Sequence, residues 1–121
     1  MASRIIMAAV LLIIPLTMMG FGALLKKFPP PVNGVFGYRT KRSLRDPESW
    51  ILAQSLIAGT WTKWGLVTLI VTLAAVSYIL VADTDTASTV TVVLIYAQMV
   101  PLLGAIIPVE KALKEYQEGS E

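Results

Sequence analysis

Three long runs of the chain carry no Asp, Glu, Lys or Arg: 5–25, 64–82 and 86–109, of 21, 19 and 24 residues. About 20 helical residues at ~1.5 Å rise cross a hydrocarbon core of ~30 Å, so each run predicts a membrane-spanning helix. The first exceeds the ~7–15 residues of a signal-peptide apolar region, and Lys26-Lys27 follow it at once. It therefore reads as a retained span. Pro15 inside it predicts a bend, and Gly20, Gly22 and Ala23 offer a thin face to a neighbouring helix.

The stretch between the first two spans changes character twice. Phe28-Pro29-Pro30-Pro31 forces extended backbone at the membrane surface, and Asn33-Gly34 and Gly37 mark tight turns. Asp46-Pro47-Glu48 then opens a helix, with Asp46 as N-cap, Pro47 in the first turn and Glu48 complementing the helix dipole. On a helical wheel of 47–58, Trp50, Leu52, Ala53, Leu56 and Ile57 share a wide apolar face, Glu48 and Ser55 form a narrow polar strip, and Gly59 is a stop. Such a helix either lies in the interface, the preferred reading, or forms the first turns of a long, tilted second span.

Trp61, Lys63 and Trp64 make an interfacial anchor group. Asp83-Thr84-Asp85-Thr86 is short enough to join spans 2 and 3 as an antiparallel hairpin, with Asp85 or Thr86 capping the third span. Gln98, Pro101, Gly104-Ala105 and Pro108 predict that this span is bent and has carbonyls released from helical bonding. The expected fold is all-α, an integral membrane three-helix bundle with a short cytoplasmic interfacial helix between spans 1 and 2. One membrane domain covers 1–121, with spans at about 5–25, 62–82 and 87–109, a 26–61 loop holding the 47–58 helix, and a 110–121 tail.

Composition removes the alternatives. Hydrophobic residues make up 55% and charged residues 15%, with a mean hydropathy of +0.69, which excludes an ordinary soluble domain. Without His or Cys the chain has no imidazole or thiolate for zinc, haem or iron–sulfur sites, so no metal and no cofactor is expected. No carboxylate or lysine falls inside the three spans, where a proton relay would need one.

Of ten Lys and Arg, seven lie between spans 1 and 2 and two follow span 3, leaving Arg4 alone at the other end. The positive-inside rule then predicts an outside N-terminus and a cytoplasmic loop and C-terminus. Basic residues that adjoin spans serve orientation and anionic lipid, so no nucleic-acid partner is expected.

The run NGVFGYRTKRS carries Asn33, Gly37, Tyr38, Arg39, Thr40 and Ser43, and it is followed by Trp50 and Ala53. With a Pro before the Asn and a closing Pro-x-Glu at Pro108 and Glu110, it resembles the signature of the SdpI family of small bacterial membrane proteins. The similarity covers roughly 24–116, and Gln54 stands where members often carry Asn. The resemblance implies immunity to a secreted, membrane-active peptide toxin. It also implies a signalling role, with a cytoplasmic regulator held at the membrane through the basic loop. Membrane lipid and the peptide toxin are the other partners expected, and a homo-oligomer stays open.

The basic loop has its own chemistry. Arg39, between an aromatic and a hydroxyl in a turn-rich segment, is the candidate for a bidentate contact to an anion. Lys41, Arg42 and Arg45 read as topology and headgroup contacts. An enzyme would have only Ser43 with Lys41 as a nucleophile–base pair, so no enzymatic activity and no catalytic residue is expected. The alternative function is a subunit of a small oligomeric transporter or channel. A carboxylate at the hydrocarbon edge is costly unless paired, which predicts that the loop folds onto the end of span 3 with Arg39–Glu110 as a clasp, Tyr38 and Trp50 packed around it. The competing partner for Glu110 is Lys114, one turn on.

Overall fold

A computed structural model describes residues 2–27 and 37–119. The described chain is all-helical: α1 (Ala2–Lys27), α2 (Pro47–Ile79), α3 (Thr84–Gly104) and α4 (Ile106–Gly119). Three helical stretches are long and apolar enough to cross a membrane: α1, α2, and α3 together with α4. The proline run and Asn33-Gly34 lie outside the described residues.

The second helix starts as the sequence predicts. Asp46 is extended at φ −156°, its carboxylate accepts from the Ser49 amide at 2.7 Å, and Pro47 takes the first turn. The separate interfacial helix over 47–58 does not exist as an element, because α2 runs unbroken through Gly59 for 33 residues. At ~1.5 Å per residue it is about 50 Å long and overshoots a ~30 Å hydrocarbon core, so its first turns project beyond the bilayer. A mid-helix glycine costs about 1 kcal/mol relative to alanine, but packing outweighs it. Buried Trp50, Ala53, Ile57, Gly65, Thr68, Thr72 and Ile79 form one stripe that continues across Gly59.

Much of that stripe faces α1. A Cβ added at Gly22 would lie 2.5 Å from Thr62 Oγ1 and 2.9 Å from the Ala58 carbonyl, so the two backbones meet where only glycine fits. Gly20 meets nothing within 4 Å and is not part of that contact. Pro15 sits within α1 without ending it. Having no N–H, it leaves the Leu11 carbonyl without its helical donor. Gln98 Nε2 of α3 supplies one at 2.8 Å and also donates to Thr72 Oγ1 of α2 at 2.9 Å, which ties three spans together in mid-membrane.

The turn after α2 is capped by Asp83, not by Asp85 or Thr86. Its carboxylate accepts from the Thr86 amide at 3.1 Å, because Asp83 is the last extended residue before the helix. Arg4 donates to the Ile79 carbonyl at 2.6 Å, satisfying an orphan acceptor at the negative end of the α2 dipole. At the other end, Ala105 breaks α3 from α4, and Trp61 Nε1 donates to the Leu102 carbonyl beside the break at 3.3 Å. The expected tail is thus a helix, with Val109, Leu113 and Gln117 buried at four-residue spacing.

Candidate functional site

The site lies at the basic end, where the 37–46 segment folds between the first turns of α2 and the α4 helix. Gly37 has φ +107°, in the left-handed region, and a Cβ there would lie 2.9 Å from Gln54 Oε1 and 3.2 Å from the Trp50 ring. Both backbone geometry and space require glycine. The next residue is held like a partner strand: Gln54 Oε1 accepts from the Tyr38 amide at 2.8 Å, and Gln54 Nε2 donates to the Tyr38 carbonyl at 2.9 Å.

Thr40 and Ser43, three residues apart, bond reciprocally. The Thr40 amide donates to Ser43 Oγ at 2.7 Å and the Ser43 amide to Thr40 Oγ1 at 3.2 Å, the same logic as a helix capping box. The Ser43 hydroxyl lies against the Tyr38 and Thr40 carbonyls at 3.1 and 3.0 Å, and the residue is fully buried. It is a fold-holding group, not an exposed nucleophile beside Lys41. Gln117 of α4 clamps the turn from the other side, donating to the Arg42 carbonyl at 2.9 Å and to Ser49 Oγ at 3.0 Å. Tyr116 adds an exposed bond to Glu48 at 3.1 Å.

Glu110 is where the loop meets the third span, as the sequence predicts, but with another donor. Thr40 Oγ1 donates to Glu110 Oε2 at 3.2 Å. Among the described residues neither an Arg39–Glu110 nor a Glu110–Lys114 ion pair forms; the ion pair present in this segment is Arg45–Asp46 at 3.8 Å. The Arg39 clasp is therefore replaced by a short hydroxyl arm: Arg39 is exposed, while the half-buried Thr40 reaches Glu110 of α4. The Tyr38 phenol oxygen is buried without a hydrogen-bond partner of good geometry among the described residues. Burial, and then the charge of Glu110, pushes its pKa well above the ordinary 10.0.

Beside this framework is a partly open cavity of about 620 Å³. Phe21 and Leu25 of α1, Ile57 and Trp61 of α2, and Leu102 and Ile106 at the α3–α4 junction wall it. Gly37, Tyr38, Arg39 and Thr40 line its polar side. Of the motif residues, Gly37, Tyr38, Thr40, Ser43, Trp50 and Glu110 come together with Gln54. Ala53 lies in the buried apolar cluster that also holds Leu25, Ile57, Val109 and Leu113. Pro108 is exposed and away from the cavity, and Asn33 lies outside the described residues.

Sequence reasoning missed Gln117. Its place four residues after Leu113 and eight after Val109, on the same helical face, was the available signal.

The model of the SdpI/YfhL protein family matches residues 30–109, two thirds of the chain, including the Gly37–Ser43 turn and the Trp50 and Gln54 positions of α2 that hold it. The chain belongs to the SdpI/YfhL family. No curated protein and no solved structure matches it. Within this SdpI-family chain, Gly37 and Thr40-x-x-Ser43 are structural requirements of a tightly bonded turn. Arg39 is the cationic residue among the four motif residues that line the cavity.

Proposed function

We propose that this SdpI-family membrane protein confers immunity to a secreted, membrane-active peptide toxin, and that its basic end faces the cytoplasm. Family membership over 30–109 carries this reading. Nine of ten Lys and Arg at one end of the bundle support the orientation. A signalling role through the exposed basic turn, with Lys41 at its tip, belongs to the same proposal. The transporter alternative draws less support, since no carboxylate or lysine falls inside the three charge-free runs and the Gln98 Nε2 group is engaged in tying helices together through Leu11 and Thr72.

Expression of the full chain in a sensitive bacterium, challenged with a panel of membrane-active peptides, tests the function. Survival should rise against at least one peptide. No gain across a panel that includes the host's own toxin overturns immunity, and substrate uptake in vesicles would favour the transporter. Single cysteines at Ser3, Lys41, Thr84 and Glu118 test the orientation, because the chain has none of its own. Labelling of position 41 or 118 by an impermeant thiol reagent in intact cells would reverse it.

A further inference from the structure

The cavity beside the motif is built for an amphiphile, one end apolar and the other cationic. Its apolar wall runs down α1 from Leu25 to Thr17, eight residues or about 12 Å of helix, into the depth of the hydrocarbon. At its upper edge stand Arg39, which lines the cavity, and exposed Lys26 and Lys27, which follow Leu25 directly. Phe21, Leu103 and Ile106 are exposed at the rim, so the cavity meets lipid from the side and not only water from above.

The balance of charge decides the sign of the occupant. In 26–27, 37–63 and 110–119 there are nine Lys and Arg against five Asp and Glu. The acidic group closest in the framework, Glu110, is engaged by the Thr40 hydroxyl and is not part of the cavity lining. A guanidinium in this position offers two parallel hydrogen bonds to a phosphate, which an ammonium does not. Gly37, locked by Gln54 and Trp50, and the Thr40–Ser43 pair hold the backbone on both sides of Arg39, so the guanidinium's attachment point is fixed relative to the apolar wall.

We propose that this cavity is a binding site for one anionic phospholipid of the surrounding leaflet, its phosphate on Arg39 and the first part of an acyl chain between Phe21, Ile57 and Ile106. The site is distinct from general headgroup attraction, because it needs both the apolar slot and an arginine whose backbone is held at the edge of that slot. It stands independently of which toxin the protein resists.

Native mass spectrometry of the full chain, purified in detergent with equal phosphatidylglycerol and phosphatidylcholine, reads the site directly. Retention of phosphatidylglycerol should exceed that of phosphatidylcholine by about fivefold, the effect of roughly one well-placed charge. Arg39→Gln should abolish the preference and Arg39→Lys keep part of it, while Lys114→Gln, at the same end but off the cavity, should leave it unchanged. Ile106→Trp keeps every charge and fills the slot; it should also lose the lipid, which carries the test if Arg39→Gln fails to fold. Equal retention of the two lipids overturns the proposal, as does Arg39→Gln or Ile106→Trp behaving like the parent. Glycerol phosphate, which has the anion and no chains, should not compete; displacement of the lipid at matched concentration would mean a soluble phosphate ligand and overturn the lipid assignment.

Discussion

Gln54 pairs with both backbone polar groups of Tyr38, accepting from its amide at 2.8 Å and donating to its carbonyl at 2.9 Å. A primary amide has the donor and acceptor side by side that a peptide unit needs, so a side chain on α2 does for the loop what a neighbouring strand would do in a sheet. Gln54 is fully buried, so water cannot replace it. Gln54→Leu leaves two backbone groups without partners and should lower stability by about 2–4 kcal/mol. Gln54→Glu, which cannot donate to the carbonyl when ionised, should be comparably damaging. Thermal unfolding in one detergent at neutral pH checks both, and a loss under 1 kcal/mol for Gln54→Leu would contradict the pairing.

The Thr40–Glu110 bond makes a prediction that separates it from an Arg39 ion pair. Thr40→Val should cost about 1.5–3 kcal/mol, since it removes a hydrogen bond to a charged group, and Thr40→Ser should retain most of the stability. Exchanging the charges with Arg39→Glu and Glu110→Arg should give no mutual rescue. Recovery of stability in that double variant would restore the ion pair.

Gln98 and Pro15 should be energetically coupled although they do not share a bond. Gln98→Leu removes the donor to the Leu11 carbonyl, at about 0.6–2 kcal/mol in a membrane interior. In a Pro15→Ala background the helix itself supplies an amide for Leu11, so the same substitution should cost measurably less. A double-mutant cycle by denaturation in mixed micelles measures this coupling, and strict additivity would refute it.

Tyr38 should make the protein sensitive to alkali. Its folded-state pKa lies above the unfolded value of 10.0, so the neutral phenol contributes stability that is intact below pH 10. That contribution declines as pH rises beyond 10, because the unfolded chain releases the phenol proton first. The stability difference between the parent and Tyr38→Phe should therefore shift in favour of the variant between pH 9.5 and 11, in equilibrium unfolding at fixed ionic strength. Tyr116 has its pKa raised mainly through its bond to Glu48, but it is exposed and reports little of the site.

The spans, the Asp46 cap, the Pro47 start and the meeting of the loop with Glu110 were all legible in the chain, because they depend on local chemistry. A charge-free run of about 20 residues has few alternatives to a membrane helix, since its backbone must satisfy itself in hydrocarbon. A cap is decided by one side chain and the amide three residues on. Glu110 needed a partner at the bilayer edge for reasons of solvation alone. Which partner it took was a matter of direction: Thr40 and Arg39 are adjacent, and only the locked turn at Gly37 and Ser43 determines that the Thr40 hydroxyl is the group that reaches Glu110 of α4. Gly59 failed as a stop for a related reason, because a local preference of about 1 kcal/mol competes with a stripe of packing against α1 that begins before it and ends at Ile79. Gln54, Gln98 and Gln117 were ordinary polar residues until tertiary structure brought each one to backbone carbonyls of distant segments, since an amide's value lies in the partners that remote parts of the chain deliver to it.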